Sequence, residues 1–282
     1  MSEARPHTTF SKAPIDIRAA TAMSRPIPKT CFIHIPKTGG QSLEQSLRHA
    51  YFRNDLEVQR YGEFMPDEYP QTDAPELHTE SEFIRASPDA LISDFDAIWG
   101  HTKYATVRDK LAHRAGATNL ITVLRDPLEL YASLYNYARK DEHHPDRERA
   151  SQQSFRDFLH GQYVYPMQCE WVAGCYTASQ AIKVLEKHYH AFCPLEDLDE
   201  FVILYTAWLG YESETTHHVN ATGGSLRSIQ SLSPADLEWF YNRAGEDYLL
   251  VQWARRTWRE HCRVRLTKPV EESVPPLALG DA

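Results

Sequence analysis

Residues 30–47 read TCFIHIPKTGGQSLEQSL, and this stretch decides the predicted fold. Thr30–Ile35 is rich in β-branched and aromatic residues, which predicts a buried strand. Pro36 ends the strand because proline has no N–H group for a sheet ladder. From Gln41 onward the apolar residues recur at helical spacing. Lys37–Gly40 is therefore predicted to be a tight turn between a strand and the N-terminus of a helix.

This turn has the chemistry of an anion-binding site. Backbone N–H groups and the positive end of the helix dipole converge at a helix N-terminus, which suits a phosphate or sulfate group. Gly39 and Gly40 allow positive φ and a close approach of the backbone to a ligand, and Lys37 adds a cation. Further polar contacts are predicted from the side chains of Thr38, Gln41 and Ser42. For the turn alone, an ordinary strand-turn-helix with a solvated lysine is the alternative.

Two nucleotide-binding families have loops of this general kind. A nucleoside-triphosphate P-loop places its lysine after the glycines, as G-x-x-x-x-G-K-[ST], and that string is absent from the chain. Residues 34–42, HIPKTGGQS, closely resemble the 5′-phosphosulfate loop of sulfotransferases of the heparan sulfate 2-O-sulfotransferase type. Those enzymes use 3′-phosphoadenosine 5′-phosphosulfate (PAPS). The resemblance implies a three-layer α/β/α domain with a central, mostly parallel sheet, the P-loop NTPase-like sulfotransferase fold.

A second stretch indicates a candidate base. Asp96–Trp99 is a predicted strand, and Gly100 and His101 follow its C-terminal end. Open α/β sheets bind ligands at such ends, and a histidine accepts a proton from a hydroxyl group near neutral pH. A structural role is the alternative for a single histidine. The pattern resembles the catalytic-base segment of the same sulfotransferases, which implies that His101 is the base.

A third stretch, residues 119–137, reads NLITVLRDPLELYASLYNY. The apolar run Leu120–Leu124 predicts a central parallel strand that is buried on both faces. Asp126 is suited to cap the helix that follows, and Pro127 is suited to begin it. Arg125 is therefore predicted to stand at the C-terminal tip of the strand.

This stretch resembles the 3′-phosphate motif of the same family. The resemblance implies that Arg125 binds the 3′-phosphate through its guanidinium and that Ser133 donates its hydroxyl. Leu130 stands where many members have a second arginine. The resemblance also implies that the Gly/Ser/Thr-rich loop 217–231 closes over the nucleotide, with Arg227 as a further 3′-phosphate contact. Without the resemblance, an arginine paired with a local acid and a serine on a helix face would explain the same residues.

Composition limits the classes of function. The chain has 282 residues, 42% of them hydrophobic, and a formal net charge of −9, which argues against nucleic-acid binding. No apolar run is long enough to span a membrane and no secretory h-region is present near the start, so a cytoplasmic location is predicted. The five cysteines form no C-x-x-C pair. Cys169 and Cys175 could close a small disulfide in an oxidising compartment, whereas two buried thiols are expected in a reducing cytoplasm.

Two charged regions have alternative readings. Residues 54–96 are strongly acidic and interrupted by prolines. They read either as a solvated insertion or as one wall of an acceptor cleft that repels anionic acceptors. Residues 139–153 are predicted to be a charged loop, in which His143 and His144 could form a metal pair. No further ligands stand at suitable spacing, so no metal site is predicted.

The predicted organisation has three parts. Residues 1–29 are a flexible arm, 30–267 the sulfotransferase domain and 268–282 a disordered tail. Further predicted helices cover 88–93, 154–160, 177–190, 196–209 and 235–261, and a last strand covers 192–195.

The resemblance implies direct sulfuryl transfer from PAPS to an acceptor hydroxyl, most simply on a glycan or glycolipid. Lys37 and the backbone N–H groups of 38–42 would stabilise the charge that grows on the leaving phosphate oxygen. A small natural-product alcohol or phenol as acceptor, or a non-catalytic nucleotide-binding protein, stay open. A nucleotide-dependent phosphotransferase is disfavoured because the Walker lysine is missing.

Overall fold

A parallel sheet lies at the centre of the protein. The computed structural model describes residues 29–52, 58–60, 97–101, 103–111, 118–209 and 225–266. Five strands form the sheet: β1 (Lys29–Ile33), β2 (Val58–Arg60), β3 (Ala97–Gly100), β4 (Thr118–Leu124) and β5 (Tyr189–Pro194). Their order is β2-β3-β1-β4-β5, and every pairing is parallel. All five carboxyl ends therefore meet at one edge of the sheet.

Helices cover both faces of the sheet. They are α1 (Gly40–Phe52), α2 (Tyr104–Leu111), α3 (Pro127–Lys140), α4 (Arg147–Gln152), α5 (Phe155–His160), α6 (Met167–Ala173), α7 (Ala178–His188), α8 (Leu198–Trp208), α9 (Ser225–Gln230) and α10 (Pro234–Leu266). Helix α1 packs against α8, whereas α3, α6 and α7 pack against α10, and α2 packs against α6. The crossover from β1 to β2 and the crossover from β3 to β4 run in opposite directions across the sheet. Because such crossovers are right-handed, α1 with α8 lies on one face, and α2, α3, α6, α7 and α10 lie on the other. The predicted three-layer α/β/α architecture is confirmed.

Short polar residues set the predicted helix starts. The Asp126 carboxylate accepts hydrogen bonds from the N–H groups of Leu128 and Glu129, and Pro127 occupies the first position of α3. At α10, the Ser233 hydroxyl accepts from Asp236 N–H while the Asp236 carboxylate accepts from Ser233 N–H, a reciprocal capping box. These caps fix the residues at which α3 and α10 begin.

Helix α10 covers the β5 edge of the described sheet. Every residue of β5 is buried, although β4 is its only partner among the described strands. His261 Nε2 donates to the Tyr189 carbonyl oxygen over 3.1 Å, and the Phe192 ring stacks on Trp253. A carbonyl group of this edge strand thus has a side-chain hydrogen-bond partner on α10.

Several predicted boundaries are corrected. Strand β1 ends at Ile33 rather than Ile35, and the charged loop 139–153 contains helix α4. The final helix continues to Leu266, beyond the predicted end at 261. The predicted helix 88–93 and the tail 268–282 lie outside the described residues, as does the arm 1–29 apart from Lys29, which begins β1, and 54–96 apart from β2.

The cysteine prediction is corrected at one position. All five cysteines are free thiols. Cys169 is buried as expected, but Cys175 is only half-buried, because it lies in the turn after α6.

Candidate active site

A cavity of about 500 Å³ opens at the carboxyl edge of the sheet. Residues that follow four of the strands line it: His34, Pro36, Lys37 and Gly39–Ser42 after β1, His101 after β3, Arg125 after β4, and Leu195 and Glu196 after β5. Helix α3 contributes Ser133, Leu134 and Tyr137. The cavity lies beside β1, where the chain connections leave in opposite directions, which is the position at which open α/β sheets bind ligands.

The turn between β1 and α1 has left-handed backbone at two positions. Lys37 has φ 65° and Gly39 has φ 83°. A left-handed lysine carries a cost of roughly 1–2 kcal/mol, a kind of strain that is typical of functional sites. The N–H groups of Ser42 and Leu43 both donate to the Gly39 carbonyl oxygen, which closes the first turn of α1. The predicted strand-turn-helix is thus present, and its lysine lines the cavity.

A side chain at either glycine would collide with a neighbouring side chain. A Cβ atom on Gly40 would lie 2.0 Å from the His34 ring, and one on Gly39 would lie 2.3 Å from Leu195 Cδ1. Contacts this short do not occur between real atoms, so a larger residue would displace the imidazole or the leucine. The glycines let the backbone approach these side chains closely.

Lys37 is held over an aromatic ring. Its Nζ lies 3.5 Å from the centroid of the Tyr137 ring, a cation–π contact. Burial and the nearby Arg125 charge lower the pKa of Lys37 to about 8, while Asp141 acts in the opposite direction. A hydrogen bond with Asp141 raises the pKa of Tyr137. An anion in the cavity would relieve the repulsion between the two cations.

Arg125 stands at the tip of β4, as predicted. Its Nη1 donates to the Lys37 carbonyl oxygen over 2.9 Å, and its Nε lies 3.5 Å from a Glu129 carboxylate oxygen. That Nε is buried and makes no hydrogen bond to any residue in the described ranges. Burial lowers the pKa of Arg125, and the Glu129 carboxylate partly offsets that lowering. The Nε is thus ion-paired with Glu129, and a buried guanidinium at the cavity wall fits a site for an anionic group.

Ser133 and His101 approach the cavity from different elements. Ser133 is 3% exposed on α3, one helical turn before Tyr137. His101 is exposed immediately after β3, with its ring centroid 4.3 Å from that of His34. The His34 ring also stacks on Phe32 at 5.2 Å. Two imidazoles therefore adjoin the same wall of the cavity.

The structure brings most of the predicted site residues together. Lys37, Gly39, Gly40, Gln41, Ser42, His101, Arg125 and Ser133 all line the cavity. Thr38 is not among the lining residues: its side chain is fully buried and its hydroxyl donates to the Ile35 carbonyl oxygen over 2.9 Å, so its contact with a ligand stays a prediction. Arg227 is exposed on α9 and is not among the described lining residues.

Other lining residues were not predicted. Tyr137 could have been found, because it lies four residues after Ser133 on the same helix face. Glu196 and Asp199 come from the segment after β5, and nothing in their local sequence indicates this position. His144, which the sequence singled out in the charged loop 139–153, also lines the cavity, and its Nδ1 accepts from Asp146 N–H over 3.1 Å.

Two solved structures align with the chain. A sulfotransferase from Alicyclobacillus acidocaldarius is 14% identical, with a TM-score of 0.46 over 82% of this chain and 98% of the other. Mouse sulfotransferase SULT7A1 complexed with PAP is 18% identical, with a TM-score of 0.38 over 76% of this chain and 66% of the other. No family model and no curated protein sequence matches the chain. At these scores the two similarities support no conclusion about activity.

The described residues lack two further features. They include no cluster of three or more metal-ligating side chains. None of their helices combines the length and the apolar character needed to cross a membrane.

Proposed function

We propose that the protein is a sulfotransferase that transfers a sulfuryl group from PAPS to an acceptor hydroxyl. The observation that supports the proposal is the meeting of Lys37, His101, Arg125 and Ser133 in one cavity. These residues come from three motifs spread over about a hundred positions. A non-catalytic role for the chain would not require the histidine to share a cavity with both cations.

The cavity residues take separate roles. Lys37 and the amides of Gly39 and Gly40 face the 5′-phosphosulfate end and stabilise the charge that develops on the bridging oxygen. Arg125 and Ser133 hold the 3′-phosphate. Arg227 stays a predicted further contact with that phosphate. His101 accepts the proton of the acceptor hydroxyl.

When bound, PAPS supplies the activated sulfuryl group: its S–O bond to the 5′-phosphate breaks as the acceptor oxygen bonds to sulfur. The residues supply positioning and electrostatics, as in phosphoryl transfer. No residue is oxidised or reduced, and the proton released by the acceptor passes to His101.

The proposed acceptor is a neutral or weakly charged glycan or glycolipid. Glu196 and Asp199 add exposed carboxylates to the cavity wall, although Glu196 is ion-paired with Arg255. Residues 54–96 carry a large acidic excess. Like charges disfavour a heavily sulfated acceptor. Tight, salt-sensitive binding to heparin at physiological ionic strength would contradict this assignment. A small alcohol or phenol is the alternative acceptor.

The proposal is tested first by ligand binding. Adenosine 3′,5′-bisphosphate is expected to bind more tightly than AMP, because only the bisphosphate reaches Arg125 and Ser133. Arg125→Ala should remove that difference, since a charge-assisted hydrogen bond contributes about 1.5–3 kcal/mol. Equal affinity for both nucleotides in the unmodified protein would contradict the 3′-phosphate site.

Transfer itself is measured with radiolabelled PAPS and a panel of glycans, glycolipids, small alcohols and phenols. The labelled sulfuryl group should appear on the acceptor as a sulfate ester of its hydroxyl group. Bisphosphate binding without transfer to any of these acceptors would favour a nucleotide-binding protein instead.

A further inference from the structure

A buried amide side chain holds the tip of β4. Gln168, in the first turn of α6, is 0% exposed. Its Oε1 accepts from Arg125 N–H over 2.9 Å, and its Nε2 donates to the Arg125 carbonyl oxygen over 2.7 Å. The amide thus pairs with both main-chain groups of one residue, as a neighbouring strand would. This pairing fixes the backbone at the point where β4 ends and α3 has not begun.

A buried carboxylate in turn holds Gln168. Asp247, on the long helix α10, is 1% exposed. Its two oxygens accept from Gln168 N–H and Cys169 N–H, each over 2.9 Å. Burial raises the pKa of Asp247 to about 7, although these hydrogen bonds oppose the shift. A buried carboxylate that uses both oxygens on one helix start positions that helix tightly.

The pairing connects the core to the anion site. Fixing the backbone of Arg125 fixes the origin of its guanidinium, whose Nη1 donates to the Lys37 carbonyl oxygen. A continuous series of hydrogen bonds therefore runs from Asp247 through Gln168 and Arg125 to the turn that bears Lys37. Each member is a described residue, and each bond is 2.7–2.9 Å long.

We propose that Gln168, oriented by Asp247, is a positioning residue that gives the site its selectivity for nucleotides carrying a 3′-phosphate. The proposal rests on the function assigned to Arg125 above. Gln168 touches no ligand itself, and it acts through the direction in which Arg125 leaves the strand.

The role requires an amide. Methionine has similar length but neither bond, so it would leave Arg125 N–H and C=O without partners in the core. Glutamate keeps the acceptor but replaces the donor with an oxygen that faces the Arg125 carbonyl. Both changes loosen the backbone of β4 at its tip, and an arginine placed about 1 Å away from its site loses much of its bidentate contact.

Titration calorimetry of the two nucleotides tests the proposal. The measured quantity is the ratio of the AMP dissociation constant to the bisphosphate dissociation constant, well below the unfolding temperature. Gln168→Met and Gln168→Glu are each expected to lower this ratio by about tenfold, which corresponds to 1.4 kcal/mol. The AMP constant itself should change less than about threefold. Asp247→Asn, which keeps one acceptor oxygen, should lower the ratio by a smaller factor.

Asp236→Asn is the matched control. Asp236 is also a buried carboxylate on α10 with several hydrogen bonds, but its partners Arg156, His160 and Ser233 lie away from the cavity. It should lower the unfolding temperature and leave the ratio unchanged. An unchanged ratio in both Gln168 variants would overturn the proposal while leaving the proposed function intact. A ratio near one in the unmodified protein would overturn both.

Discussion

Arg125 donates a hydrogen bond from Nη1 to the main-chain oxygen of Lys37 over 2.9 Å. The two cations expected from separate sequence motifs therefore belong to one hydrogen-bonded unit. The contact joins the tip of β4 to the main chain of the turn after β1. Binding at one end of a bisphosphate is expected to order the residues at the other end.

His101 is expected to be needed for turnover and dispensable for nucleotide binding. His101→Ala should lower turnover by about 10²–10⁴-fold, the usual contribution of a general base. The affinity for adenosine 3′,5′-bisphosphate should change little, because the proposed role of His101 is on the acceptor side. Steady-state kinetics and calorimetry on the same preparation separate the two effects. Near-normal turnover in a folded His101→Ala protein would direct attention to His144, which also lines the cavity.

Nucleotide affinity is expected to fall at alkaline pH because of Lys37. Its pKa is lowered to about 8, so the ammonium is charged well below pH 8 and loses its proton as the pH rises through that value. The affinity for the bisphosphate should drop by up to about tenfold between pH 7 and pH 9. Lys37→Arg should show a flatter profile, since arginine stays charged in this range. A flat profile for the unmodified protein would contradict the assignment of Lys37 to the ligand.

Gly40→Ala is expected to damage the site through His34. The added Cβ would lie 2.0 Å from the His34 ring, which is only 8% exposed and stacks on Phe32. The ring or the first turn of α1 must shift, so bisphosphate affinity and turnover should both fall by about tenfold or more.

Gly245→Ala is the control for that change. Nothing lies within 4 Å of a Cβ at Gly245, which is inside α10. This variant should bind normally and gain about 0.5–1 kcal/mol in unfolding free energy, the usual helix preference for alanine. Normal binding by Gly40→Ala would show that the turn tolerates the displacement.

His190 is expected to destabilise the protein in acid. It is 0% exposed, and neither ring nitrogen has a hydrogen-bond partner within the part of the chain that the structure describes. Burial, with smaller effects of Arg265 and His261, lowers its pKa to about 3. The neutral ring is thus favoured in the fold, and the stability it supports is complete above pH 6.5 and lost as the pH falls below that value.

His190→Phe measures that effect. Phenylalanine keeps an aromatic ring against Trp208, 4.3 Å away in the native pair, and cannot take up a proton. Between pH 7 and pH 5 the unmodified protein should lose about 2 kcal/mol of unfolding free energy through this residue, and the variant should not. Urea denaturation at both pH values gives the comparison. Parallel losses in the two proteins would assign the acid sensitivity to other groups.

Local chemistry explains which parts of the fold could be predicted. The apolar run Leu120–Leu124, the Asp126 cap and Pro127 together define β4 and the start of α3, and the structure agrees with all three. Helix α4 was missed because residues 147–152 are nearly all polar and carry no apolar period. Its single buried residue, Ala150, is too small to produce a pattern.

The site residues that directly follow a strand within their own motif could be predicted. Lys37, His101 and Arg125 each follow a strand, so their convergence at one sheet edge follows from parallel pairing. Gln168 and Asp247 were not predictable. Gln168 contacts the tip of β4 across 43 positions, Asp247 contacts Gln168 across 79, and both contacts depend on how α6 and α10 pack. The buried hydroxyl of Thr38 likewise depends on the turn geometry rather than on residue type.

The covering of β5 by α10 has a consequence for how the chain folds during synthesis. His261, which donates to the Tyr189 carbonyl oxygen, and Trp253, which stacks on Phe192, lie about sixty to seventy positions later in the chain. During synthesis, the nascent sheet therefore carries an open hydrogen-bonding edge until those residues leave the ribosome. Such an edge is a template for pairing with another chain. A protein truncated before Pro234 should aggregate through this strand, and adding the missing helix as a separate peptide should suppress that aggregation.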